Sequence, residues 1–168
     1  MKIPNYFNKL GTFSIIDISE NYLVTPHNLT SYSNADFTVS QDSNADGTRL
    51  AWRAMDGSNK DSERDCAVTN KGYGNWWQIK FNNNVTIKKV IFTARKNTAD
   101  ETETVNSKDL VLQYSTDGSN FYDVVYFEVN LKSQAETTVY VKTNNYAQYW
   151  RIKDTDTILT HHLIIGEL

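Results

Sequence analysis

The chain has 168 residues, 17 Lys and Arg against 20 Asp and Glu, and a net charge of −3. That length suits one domain with its own apolar core, and that balance gives no electrostatic reason for nucleic acid or an anionic membrane as partner. A lone cysteine, Cys66, excludes an internal disulfide, and 2 prolines exclude a linker or low-complexity class.

The opening stretch, MKIPNYFNKLGTFSIID, holds no apolar run of signal-peptide length. No stretch approaches a membrane span, so membrane insertion is not expected. Residues 1–24 are expected to form a separate arm or an added strand, and residues 25–168 a single domain without internal repeats. Residues 25–75 are polar and rich in turn formers, with apolar content only in DFTVS and LAWRAM. A loop-heavy stretch of that length in a compact domain is usually functional or organised by a metal.

Inside it, DSNADG alternates Asp42, Asn44 and Asp46 and sets Gly47 at the bend, as an EF-hand calcium loop begins. The closing position of such a loop should be a bidentate Glu, and here it is Arg53, a cation. The flanks DFTVSQ and TRLAWRA do not read as helices either. DSNADG is therefore expected to be a loop of good turn formers, and Asp56-Gly57 is the second acidic turn to test.

From Trp76 onward, alternation replaces polarity. WWQIKF sets Trp77, Ile79 and Phe81 on one face and Trp76, Gln78 and Lys80 on the other, the pattern of a half-buried strand. VTIKKVIFTAR changes register at Lys88-Lys89, which predicts a bulge or bend. KDLVLQYS and NFYDVVYFEV flank TDGS, where Asp117-Gly118 predicts a tight hairpin turn. TTVYVK, QYWRIKD and HHLIIGEL complete a series of short strands, which predicts an all-β sandwich.

Catalytic signatures are missing from the sequence: there is no G-x-S-x-G, no phosphate-binding glycine loop and no Cys-x-x-Cys. His161 and His162 are neighbours on a predicted strand, so their rings point to opposite faces and do not share a metal. His27 lies in a polar loop, Cys66 is expected as a small, partly buried residue, and DETE (Asp100 to Glu103) as a solvated charge run. Enzyme activity is not expected.

AWRAMDGSNKDSERD followed by NWWQIKF resembles the discoidin-like family, that is, coagulation-factor C-type domains and family 32 carbohydrate-binding modules. Family members carry A-x-x-A-F-D-G-x-x-x-T and then W-x-Q-V-D-L. Ala51, Ala54, Met55, Asp56 and Gly57 fit the first element; Trp77, Gln78, Ile79 and Phe81 fit the second, with Lys80 where the family has Asp. VIFTAR, LVLQYSTDGSNF, AQYWRI and IIGEL follow in the family's order, so the resemblance covers about residues 25–168.

The resemblance implies a galactose-binding-domain-like jelly roll of about eight antiparallel strands and a structural calcium ion. Carried over by position, the implied calcium ligands are the carboxylates of Asp56 and Glu167, the carbonyls of Arg53, Ser58 and Gly166, and Asp61 where the family has Ser or Thr. Calcium takes six to eight oxygens and accepts carbonyls readily, so the set is chemically coherent. Arg95 falls where sugar-binding relatives put an arginine, with Asn97 behind it. Tyr73, Asn75 and Trp76, in or beside NKGYGNWW, are further candidates for stacking on a sugar ring or bonding its hydroxyls, with Arg64 and Tyr32 after them.

The expected function is thus a non-catalytic adhesion module that recognises a glycan or host cell-surface saccharide through its end loops. The expected setting is a phage virion, as a tail or capsid component in contact with other virion proteins. The alternatives are an extracellular carbohydrate-binding module cut from a secreted bacterial glycosidase, and a purely structural decoration domain. A hydrolase fragment ranks last.

Overall fold

Side chains that alternate along a strand sort to two faces, and burying one face requires a second layer. The computed structural model describes residues 29–58, 66–95, 106–166 and 168. Within them lie β1 (Phe37–Gln41), β2 (Ala67–Val68), β3 (Trp76–Val85), β4 (Lys89–Thr93), β5 (Asp109–Ser115), β6 (Tyr122–Glu128), β7 (Glu136–Tyr140), β8 (Ala147–Asp154) and β9 (Ile164–Ile165). A 3₁₀ turn spans Ala51–Met55. The expected arm, residues 1–24, lies outside the described residues.

Five strands form one antiparallel sheet in the order β1-β3-β8-β5-β6; β4-β7 and β2-β9 pair as two smaller antiparallel ladders. In β3, Trp77, Ile79 and Phe81 are buried while Lys80 is exposed, as the alternation predicts. Phe37 and Val39 of β1 stand opposite Phe81 and Ile79, and the Phe37 and Phe81 rings meet edge to face at 6.0 Å. Trp150 and Ile152 of β8 stand opposite Ile79 and Trp77 on the other side. Val90 and Phe92 of β4 and Val139 of β7 join the same buried cluster from the second layer, which makes the fold an all-β sandwich. Each large side chain buried this way contributes about 1.5–3 kcal/mol of transfer free energy.

Two expectations are refined. The register change at Lys88-Lys89 is not a bulge within one strand: β3 ends at Val85 and β4 begins at Lys89 in the other layer. Val85, Ile87, Val90 and Phe92 are all buried, and the change of parity lets both halves point into the shared core as the chain crosses between layers. The TDGS hairpin joins β5 and β6 as expected, but through residues 116–121 rather than a two-residue turn. Asp117 explains the longer loop. Its Oδ1 accepts the N–H groups of Ser119 and Asn120, both at 2.8 Å, and the Ser115 hydroxyl at 2.9 Å. The Asn120 bonds, followed by those from Ser119 and Ser115, hold the Asp117 carboxyl well below the usual carboxylate range.

Gly118 has φ +75°, and a Cβ there would lie 2.8 Å from Tyr149 Cζ. Gly118→Ala is expected to lower stability by about 1–3 kcal/mol in urea unfolding, with the m-value unchanged. A loss below about 0.5 kcal/mol would mean that the ring of Tyr149 yields and the turn carries no constraint.

Candidate functional site: the loop end of the sandwich

Strand directions gather the functional candidates at one end. β1 finishes at Gln41 beside the start of β3, where Gln41 pairs with Trp77, and β8 finishes at Asp154 beside Leu110 of β5. β4 finishes at Thr93, whose carbonyl accepts the Gly166 N–H at 3.1 Å just after β9. β9 pairs with β2, and Val68 of β2 bonds to Ala45 and Arg49. The DSNADG loop, the acidic turn, Arg95 and the C-terminal segment therefore share this end.

DSNADG is organised from within. Asp46 Oδ1 accepts the Thr48 N–H at 2.8 Å and the Arg49 N–H at 3.1 Å, while its Oδ2 lies 3.2 Å from Arg49 Nε. Asp42 binds the other way, exchanging backbone and side-chain bonds with Trp76. At the centre is Gln41, whose amide nitrogen lies 2.7 Å from Ser43 O, 2.6 Å from Asn44 Oδ1, 3.2 Å from Arg49 O and 3.0 Å from Val68 O. A single side-chain amide thus ties the loop to β2. Nothing in the sequence marks Gln41 for this role, because the acceptor that ties it to β2, Val68 O, lies 27 residues along the chain.

The second turn is differently built. Asp56 follows the 3₁₀ turn with its side chain only 6% exposed. Its Oδ2 meets Arg53 Nη1 at 3.1 Å, and its Oδ1 accepts the Ser58 N–H at 2.8 Å. Leu168 N–H donates to Ala54 O at 2.8 Å, which brings the last residues of the chain onto this turn. Gly166 packs so tightly that a Cβ would lie 2.6 Å from Arg95 Cα, so no larger residue fits between the final strand and β4's extension. Arg53, Asp56, Ser58 and Gly166 of the expected calcium set are thereby placed on two segments that touch. Asp61 and Glu167, its other two carboxylates, lie outside the described residues. Among the described residues no three or more His, Cys, Asp or Glu side chains converge. The buried Asp56 carboxylate already receives a cation, the Arg53 guanidinium, so the position is one that favours positive charge, and its oxygen donors are of the type calcium takes.

The expected glycan set divides between the two layers. Arg95 extends β4 and lies against Gly166; its Nε is buried and, among the described residues, has no hydrogen-bond partner. Asn97 lies outside the described residues. Tyr73 and Trp76 belong instead to the side of the large sheet: Trp76 is the cross-strand neighbour of Lys153, and Tyr73 lines a groove with that lysine. Asn75, also in the expected set, lies at the base of the loop that carries Tyr73. It is 6% exposed, and its amide donates to Asn70 O and Gly72 O, both at 3.1 Å. It staples the loop that presents Tyr73, with no amide hydrogen left for a ligand.

The two histidines turn to separate partners, His161 Nδ1 to Asp156 Oδ2 at 2.9 Å and His162 Nδ1 to Thr69 O at 2.7 Å. Cys66 is fully buried, in a small cluster with Val68 and Ile164.

Residues 53–152 match the F5/F8 type C family model described as NedA-like, galactose-binding domain. The chain belongs to the F5/F8 type C family. The matched part of this F5/F8 type C domain runs from the acidic turn to the end of β8's core residues. Among the curated proteins none matches the chain in sequence. Solved structures do resemble it. The Clostridium perfringens module CpGH89CBM32-5, in complex with GalNAc-β-1,3-galactose, is 15% identical with a TM-score of 0.60, covering 78% of this chain and 91% of that one. The family 32 CBM of C. perfringens NanJ, in complex with galactose, is 14% identical with a TM-score of 0.60 over 78% and 90%. The lectin domain of Lectinolysin, complexed with Lewis B antigen, is 20% identical with a TM-score of 0.61 over 82% and 94%. At such identities the likeness is one of fold.

Removing the loop's central amide isolates its contribution. Gln41→Ala is expected to cost about 1–3 kcal/mol in urea unfolding, because it strips donors from the Arg49 and Val68 carbonyls. Hydrogen exchange of residues 42–49 should accelerate in the same variant, and unchanged exchange would show that the loop holds without Gln41.

Proposed function

We propose that this F5/F8 type C domain is a non-catalytic glycan-binding module whose ligand sits at the loop end beside Arg95. The observation that carries the reading is the buried Arg95 Nε without a hydrogen-bond partner among the described residues. Buried donors are nearly always satisfied, and a sugar hydroxyl is the acceptor that an end-loop site would supply. The fold is shared with modules solved in complex with galactose, GalNAc-β-1,3-galactose and Lewis B antigen, which supports a saccharide as the ligand class. The guanidinium would bond the ring hydroxyls and Asn97 would stand beside it. A structural calcium ion is part of the proposal, held by Asp56, Asp61 and Glu167 with the carbonyls of Arg53, Ser58 and Gly166. Its role is to order a polar turn that buries little apolar surface of its own. The virion setting and contacts with other virion proteins complete the reading, on the strength of the sequence resemblance.

Affinity for a monosaccharide or short glycan is expected between millimolar and micromolar, roughly −4 to −8 kcal/mol. On a glycan array, Arg95→Ala should weaken every hit by about tenfold or more, the loss of a charged hydrogen bond of about 1.5–3 kcal/mol. An array without hits, together with unaltered host adsorption of Arg95→Ala particles, would remove the glycan reading.

The calcium proposal has its own readout. Thermal unfolding in EDTA should have a lower midpoint that added calcium restores, with about 2.7 kcal/mol gained at a hundredfold excess over Kd. An unchanged midpoint in metal-stripped protein, with no calcium by elemental analysis, would dismiss the ion.

A further inference from the structure

The outer face of the large sheet carries a structure that the end-loop reading does not use. Register sets two rows of side chains across it. Gln78, Arg151, Gln113 and Asp123 stand side by side in one row, and Trp76, Lys153, Val111 and Tyr126 in the next. In the first row Arg151 Nε donates to Gln113 Oε1, and Gln113 Nε2 donates to Asp123 Oδ1. Tyr126 donates its hydroxyl to Asp123 Oδ2, and the Arg151 guanidinium lies 3.7 Å over the Phe121 ring. These bonds lock the row. The hydrogen bonds from Gln113 and Tyr126 also hold the Asp123 carboxyl below its ordinary range, so it is ionised at neutral pH.

Above this network lies a groove of about 230 Å³. Its floor is Val111 and Gln113, and its walls include Tyr73 from the stapled loop and Tyr126 from β6. The two tyrosines are 67% and 64% exposed, a large aromatic surface to leave in water on both sides of one depression. Asn75 fixes the loop that carries Tyr73, and Asp123 holds the Tyr126 hydroxyl. Lys153 lines the groove and its ammonium has no hydrogen-bond partner among the described residues, so three donors are available. Asp123 and Asp156 present carboxylate oxygens with lone pairs beyond those already bonded. Asp154 points inward to the Ser107 hydroxyl at 2.7 Å and takes no part as an acceptor.

We propose that this groove is a second binding site, for a neutral saccharide one ring deep, separate from the site at Arg95. Three features choose that ligand. Aromatic walls offer apolar planes to the C–H faces of a pyranose, while hydroxyl groups, which donate and accept, match a floor that mixes an ammonium, amide and carboxylates. The volume is below the roughly 300–1,000 Å³ of pockets for drug-sized ligands, which leaves room for a single ring. Three carboxylates, Asp123, Asp154 and Asp156, line the groove against the Lys153 ammonium and the Arg151 guanidinium bonded to its floor, so an anionic sugar meets net repulsion. The bond that holds Tyr126 and the stapled loop beneath Tyr73 limit the entropy lost on binding.

The test is an amide chemical-shift titration of the isotope-labelled protein with the methyl glycosides of galactose, glucose and mannose, and separately with galacturonate. At least one neutral glycoside should shift amides around Gln113, Tyr126 and Lys153. Tyr126→Ala should weaken that response about tenfold or more, Tyr126→Phe should keep most of it, and Arg95→Ala should leave it intact. The groove is disproved if no neutral glycoside moves these amides, if galacturonate moves them at lower concentration, or if Arg95→Ala abolishes the response. Failure of the end-loop reading looks different: the amides near Arg95 stay still while those of the groove respond. Tyr126 is solvent-exposed, so its variants should keep the dispersed spectrum of the folded protein, which serves as the control.

Discussion

A buried indole has one N–H to satisfy, and Trp77 satisfies it on the carbonyl of Ala51, 2.8 Å away. That bond ties the core face of β3 to the 3₁₀ turn, whose Ala51, Ala54 and Met55 are themselves buried. Much of the loop end hangs from this joint. The turn delivers Asp56 into a nearly buried position, and its Ala54 carbonyl receives the chain's last N–H, from Leu168. Gly166 is thereby drawn against Arg95, close enough that only glycine fits. A polar loop region with little apolar surface of its own is in this way anchored to the core by a tryptophan.

The same end faces two ways because the sandwich has two layers. Arg95 continues β4, whereas Tyr73 and Trp76 belong with β3 and the large sheet. A sugar bound at Arg95 and one bound at Lys153 would therefore contact different layers. Two weak sites on a single module can raise the avidity of a multivalent bearer without strengthening either contact. The Asp123–Gln113–Arg151 row suits such a role, since a hydrogen-bonded network presents polar groups in one fixed arrangement.

How legible these features are follows from how local they are. Alternation in WWQIKF identifies the buried face of β3, because side-chain direction along a strand has a period of two and needs no partner to be read. The parity change at Lys88-Lys89 is equally visible, but the sequence reads it as a bend, since only the second layer shows where the chain goes next. Asn75 looks like a ligand residue in NKGYGNWW because its type is right; its two acceptors, Asn70 O and Gly72 O, emerge only once the loop has closed. Tyr126 and Lys153 carry no signal at all in sequence, being separated in the chain by β7, a strand of another sheet, and brought near by the order β8-β5-β6.

By itself the sequence determines the strands, the inward faces of most of them, the two acidic turns and the family, because these rest on local periodicity and on short motifs in order. It also rules out DSNADG as a complete EF-hand loop, since Arg53 stands where a carboxylate is required. Tertiary structure alone decides which strands are neighbours, and with them the rows of the outer face, the groove and the meeting of Leu168 with Ala54. The reason is physical: strand pairing is a choice among long-range partners, made by burying one shared core, and no single segment contains the information for that choice.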